Sequence, residues 1–162
     1  IQGADLSLMG KVLKDTCRQM WKTVVTIMSI MAMAKIMSHS GMIAEIAGMM
    51  VALTGSFYPA AAPFVGAIGT FVTGSGTSAN VLFGGLQVET AGSLGLDPSW
   101  LAGANTVGAT IGKMISPQSI AIGTAATASV GSESKILRKV IKYCVLFIII
   151  AGLVAYAGSR FA

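Results

Sequence analysis

Two polar islands interrupt an otherwise apolar chain, and their residue types suit binding. The first is Thr73, Gly74, Ser75, Thr77, Ser78 and Asn80, set around the run Gly74-Ser75-Gly76-Thr77-Ser78. The second gathers Asn105, Thr106, Lys113, Ser116, Gln118 and Ser119. Hydroxyls and carboxamides both donate and accept, and glycine lets backbone approach a ligand. Lys113 is the only charge between Trp100 and Val130. An ionisable residue at such a place in an apolar stretch is a functional candidate whose natural partner is an anion. A helix broken there presents free N–H groups and about half a positive charge, which suit a carboxylate; unwound carbonyls and hydroxyls suit a cation. Bond-making chemistry is not expected. No nucleophile–base–orienter set is visible, His39 is the only histidine, and Cys17 and Cys144 have no metal-ligand spacing. The chain is read as a non-enzyme with no metal, cofactor or disulfide.

Each motif also has a plainer reading. Gly74 to Ala79 matches a loose GxGxxA pattern, which needs a βαβ unit that these surroundings do not offer. Gly108 to Lys113 is one residue short of a P-loop, and Met114 stands where Ser or Thr is needed. Ala104, Gly108 and Gly112, four residues apart, read instead as a close helix-packing stripe. The hydroxyls near Ser75, taken singly, read as helix caps, and Lys113 has a snorkelling or structural ion-pair alternative. His39, Glu45 and Glu89 read as boundary or solvated groups, and the methionines as flexible apolar packing.

These islands must be held by membrane-spanning elements. Apolar residues are 54% of the chain and charged residues 10%, against about 25% charged in soluble domains. The apolar residues are blocked, which favours spanning helices. Residues 5–21 read as an interfacial amphipathic helix and 22–39 as a transmembrane helix. The latter, from Trp21 to His39, is about 28 Å long at 1.5 Å per residue. Residues 42–54 reach only about 18 Å and carry Glu45, so they read as a second interfacial helix. Residues 60–91 form two short apolar arms around the Gly-Ser run, which reads as a re-entrant hairpin. Residues 100–130 read as a transmembrane helix broken at Gly112–Pro117, with unwound backbone at mid-depth. Residues 142–158 read as the last transmembrane helix. The fold class is therefore all-α integral membrane, with a re-entrant hairpin and a discontinuous transmembrane helix of the inverted-repeat secondary-transporter type.

Charge selects an orientation. Net charge is +5, in two clusters: Lys11, Lys14, Arg18 and Lys22, then Lys135, Arg138, Lys139 and Lys142. Each precedes an apolar run, which fits positive-inside flanks rather than a nucleic-acid surface. With both clusters in the cytoplasm, the acidic loop with Glu89 and Asp97 lies outside, and the hairpin enters and returns from that side.

Two long stretches then carry a resemblance. Gly69-Thr-Phe-Val-Thr-Gly-Ser-Gly-Thr-Ser-Ala-Asn-Val-Leu-Phe-Gly-Gly-Leu-Gln87 and Ala104-Asn-Thr-Val-Gly-Ala-Thr-Ile-Gly-Lys-Met-Ile-Ser-Pro-Gln-Ser-Ile-Ala121 closely resemble signatures of the bacterial L-lactate permease family. Ser40-Gly41-Met42 and the stretch from Gly131 to Lys139 are also similar to it. The resemblance implies an inner-membrane, multi-pass permease that takes up L-lactate, and often glycolate or D-lactate, by proton symport. It also implies that this sequence is the C-terminal part of a longer chain, whose remaining N-terminal part supplies the companion half-site. One departure stands out: Gly76 occupies a position where an acidic residue is common in the family. A passive anion channel and a non-transporting scaffold are the alternative functions. The scaffold has no need of polar breaks in apolar surroundings.

Overall fold

The structure is a computed structural model, and it describes residues 6–129 and 131–161. Residue 5, the expected start of the approach helix, and Val130, the expected end of the second broken segment, lie outside the described residues. Every regular element among the described residues is helical. α1 is Leu6–His39 and α2 is Met42–Thr54; a 3₁₀ turn at Gly55–Phe57 leads into α3, Tyr58–Thr73. α4 is Gly76–Leu94 and α5 is Pro98–Gly112; a 3₁₀ turn at Lys113–Ile115 leads into α6, Pro117–Ala126, and α7 is Glu133–Gly158.

Glycine and proline set most of the boundaries. Gly41, Gly74 and Gly95 adopt φ of 76°, 71° and 66°, the left-handed turn that ends a helix at little steric cost. Asp97 caps α5, its carboxylate accepting the Ser99 N–H at 2.9 Å, and Pro98 follows at the first helical position. The interfacial helix and first transmembrane helix, divided at residues 21 and 22, form one uninterrupted α1 of 34 residues. Nothing in the intervening sequence is a helix breaker, so chemistry changes along α1 without a change of backbone. The 42–54 helix, expected in the interface, packs along α4 with Ile43 beside Gly85, and its Met50 packs against the buried cluster that includes Tyr58, Ala91 and Leu101. Ala47, on the same face, is fully buried.

Contacts fix the direction of each helix. Ile30 and Met31 of α1 share a crevice with Thr77, Ser78 and Val81 of α4, and Lys35 and Ser38 share the next with Val81 and Gly85. Hence α1 and α4 run the same way, and α2 continues that course. The chain reverses at Gly55, whose φ of 52° and ψ of −135° suit glycine. α3 then returns beside α4, with Tyr58 at Gln87 and Gly69 at Ala79. α5 runs with α3, and α7 against both: Trp100 Nε1 donates to the Ala155 carbonyl at 2.9 Å, and the Cys144 thiol to the Ile111 carbonyl at 3.8 Å. Lys11, Lys14 and Arg18 of α1 therefore share one end of the bundle with the basic cluster of α7. The Gly95–Asp97 turn marks the opposite end.

Two runs among the described residues are long and apolar enough to cross a membrane, Met42–Thr73 and Glu133–Gly158. The first folds back on itself at Gly55. Its second arm, α3, packs against α5 through backbone. A Cβ on Gly108 would strike the Pro63 carbonyl, one on Gly112 the Ala67 carbonyl, and one on Gly66 the Asn105 carbonyl. Glycine here permits a separation that no other residue allows, the small-residue contact that drives helix association without a hydrophobic force. The stripe of Ala104, Gly108 and Gly112 is this seam.

Candidate functional site

The first break is a tight turn. The Gly74 N–H closes α3 on the Thr70 carbonyl at 2.7 Å, and Ser75 takes an extended conformation that starts α4. Ser75 Oγ accepts the Ser78 N–H at 3.3 Å, a helix N-cap. The Thr73 hydroxyl lies within reach of the Gly69 carbonyl at 2.8 Å and the Ser75 carbonyl at 3.0 Å, and accepts the Ser75 N–H at 3.2 Å. Thr73 and Ser75 thus hold the turn in shape. Ser78 is buried, and with Thr77 it faces Ile30 and Met31 of α1.

The second break is built by Ser116-Pro117. A residue before proline is pushed out of the helical region, and Ser116 has ψ of 128°. Its carbonyl accepts the Ile120 N–H at 3.1 Å and so opens α6. Ser116 Oγ is buried and has no hydrogen-bond partner among the described residues; the same holds for Thr70 Oγ1, in the last turn of α3. Lys113 is exposed on the intervening 3₁₀ turn, as is Gln118, while Ser119 is half-buried.

The two breaks meet. Gly74 lies flush against the Gln118 side chain, close enough that a Cβ on Gly74 would overlap the carboxamide. The N-terminal ends of α4 and α6 therefore sit at one level, with Lys113 beside them. α5 has 15 residues, about 22 Å of helix, and Ile111 near its end is level with Cys144, two residues past Lys142. The break thus starts level with Cys144, near the middle of the 26-residue α7.

Asn80, Asn105 and Thr106 come together about one turn further in along α4. Asn105 Nδ2 donates to Asn80 Oδ1 at 2.9 Å, and Thr106 Oγ1 lies 3.3 Å from the same oxygen while donating to the Ala102 carbonyl at 2.9 Å. Two residues absent from the expected set extend this network inward. Gln87 Nε2 donates to Asn105 Oδ1 at 3.1 Å, and Tyr58 Oη donates to Gln87 Oε1 at 3.0 Å. Tyr58, Gln87 and Asn105 are essentially without exposure. The signal available for Gln87 was its spacing, seven residues after Asn80 and so on the same helical face. Thr106, Thr110 and Lys113 then follow one another down an exposed stripe of α5, from Asn80 to the second break.

The other flank of α5 is apolar. A groove of about 530 Å³ between α5 and α7 is lined by Trp100, Val107, Ile111, Phe147, Ile150 and Val154, among others. No group of three or more His, Cys, Asp or Glu suited to a metal is present among the described residues.

An all-helical set of elements with two runs able to cross a membrane defines an all-α membrane protein. Comparison with known sequences places it further. The L-lactate permease family profile matches residues 2–160, so the chain belongs to that family. It is 52% identical over 102 residues to the L-lactate permease of Streptococcus iniae, covering 63% of this chain and 22% of the relative. It is 42% identical over 147 residues to the L-lactate permease of Bacillus subtilis (strain 168), covering 91% and 26%. The glycolate permease of Escherichia coli (strain K12) is 42% identical over 131 residues, covering 81% and 23%. The chain spans about a quarter of the length of these curated relatives. No solved structure matches it.

Proposed function

We propose that this sequence forms the C-terminal part of a secondary transporter in the bacterial cytoplasmic membrane. It carries L-lactate and related short 2-hydroxy monocarboxylates, glycolate and D-lactate among them, by proton symport. The observation that carries this reading is the contact of Gly74 with Gln118, which brings both breaks to one level beside Lys113. Two helix N-termini and an ammonium there suit a carboxylate. The basic cluster of α7 lies at the same end and raises the local concentration of anions before they bind. The names of the relatives, L-lactate and glycolate permeases, supply the substrate class.

In this reading α3 and α4 form a hairpin that enters and returns from the acidic side, and α5 to α6 is the discontinuous crossing. The remaining N-terminal part of the permease covers the exposed polar stripe of α5 and completes the site. The test is uptake of labelled L-lactate into vesicles containing the full permease. Saturable uptake driven by an inward proton gradient is expected. Conductance that neither saturates nor depends on protons would replace a carrier with a channel.

A further inference from the structure

The hydrogen-bonded chain from Tyr58 to Asn80 has a direction. Tyr58 Oη donates to Gln87 Oε1, Gln87 Nε2 to Asn105 Oδ1, and Asn105 Nδ2 to Asn80 Oδ1. Each carboxamide receives through oxygen and passes on through nitrogen. Asn80 is therefore left with its NH₂ free, and among the described residues no acceptor is bonded to it. Were the chain to run the other way, Asn80 would present oxygen instead. A carboxamide flips at little cost when nothing holds it, because oxygen and nitrogen have nearly the same shape. The bond to Asn105, and through it to Gln87 and Tyr58, holds this one in place.

Asn80 stands where such a donor is useful. It is half-buried at the edge of the α4–α5 face, beside the exposed Thr106 that heads the stripe leading to Lys113. From Thr106 to Lys113 is about 10 Å of helix axis, and a lysine side chain spans much of that gap. A small acid held with its carboxylate toward Lys113 and the helix N-termini has its uncharged end toward Asn80. The group at Asn80 is neutral, and it matches a neutral hydroxyl better than an anionic oxygen.

We propose that Asn80 reads the 2-hydroxyl of the substrate, and that Tyr58, Gln87 and Asn105 are positioning residues that hold its carboxamide in place. This rests on the transport reading above and assigns the specificity of the same site. A polar site built to bond a hydroxyl rejects the analogue that lacks it, since its own buried groups then go unpaired.

The test uses the full permease in vesicles. Lactate uptake gives KM, and competition by propionate, which lacks the 2-hydroxyl, gives Ki. In the parent protein propionate Ki should exceed lactate KM by at least about tenfold. Asn80→Ala should bring the two close to equality by raising lactate KM and leaving propionate Ki unchanged. Tyr58→Phe and Gln87→Met should move the ratio the same way by a smaller factor. In the Asn80→Ala background neither should change it further, because the donor they orient is gone. A structural role predicts otherwise: lactate KM and propionate Ki rising together, or effects that multiply in the double variants. Either result overturns the proposal, as does a parent ratio near one. A parent permease that does not take up lactate at all overturns the transport reading itself, and the hydroxyl assignment with it. Membrane levels of each variant, read by immunoblot, separate lost folding from lost recognition; should Tyr58→Phe fail to insert, Gln87→Met decides.

Discussion

Gly74 and Gln118 lie against one another although one ends α3 and the other stands in the first turn of α6. The contact requires that no side chain stand on Gly74. Its φ of 71° makes the same demand on the backbone. Gly74→Ala should therefore lower the stability of the permease by about 1–3 kcal/mol, from left-handed strain and overpacking together. Gln118→Ala added to it should recover only part of this, since the strain at Gly74 persists. Thermal unfolding of the purified permease measures both.

Lys113 is exposed on the turn between α5 and α6. Lys113→Met keeps the length of the side chain and removes its charge. Lactate uptake should fall to background while the protein still inserts at normal levels. Uptake at the parent rate would remove Lys113 from the mechanism.

The α3–α5 seam is backbone against backbone at Gly108 and Pro63, and at Gly112 and Ala67. Neither partner has a flexible end that can move aside. Gly108→Ala and Gly112→Ala should each cost about 1–3 kcal/mol, and Gly108→Leu should prevent assembly of a monodisperse permease. By contrast Gly103→Ala, with nothing within 4 Å of its added methyl group, should be close to neutral. Size-exclusion profiles and melting temperatures in detergent distinguish these outcomes.

Ser93 lies near the C-terminal end of α4 and Ser132 just before α7. Helix directions place them at opposite ends of the bundle. Cysteines introduced at Ser93 and Ser132, with Cys17 and Cys144 replaced by serine, should label from opposite sides of the membrane with an impermeant maleimide. Labelling from one side would overturn the orientation.

The breaks were legible in the sequence because glycine and the residue before proline act locally: Gly74 needs its left-handed turn, and Ser116 is driven extended by Pro117. The packing stripe of Ala104, Gly108 and Gly112 was legible for the same reason, as small residues at helical spacing. What joins distant elements was not. Nothing at Tyr58 announces Gln87, since a hydrogen bond across 29 positions leaves no local mark. The level of the second break along α7 had no local mark either, because it depends on how α5 sits against α7, and that register is set by Trp100 on Ala155 and Ile111 on Cys144. The apolar blocks spoke to membrane residence, but α2 and α3 share one continuous apolar run, so hydropathy alone hid the reversal at Gly55.

A seam made of backbone has no rotamers to rearrange. Where side chains interlock, two helices can slip by a fraction of a turn and repack; the Gly108–Pro63 and Gly112–Ala67 contacts leave no such slack. α3 and α5 are thereby welded at one height, and the turn that ends each of them is carried on the same rigid stem. Any displacement of α3 must carry α5 with it, and the turn after each moves as part of the same piece.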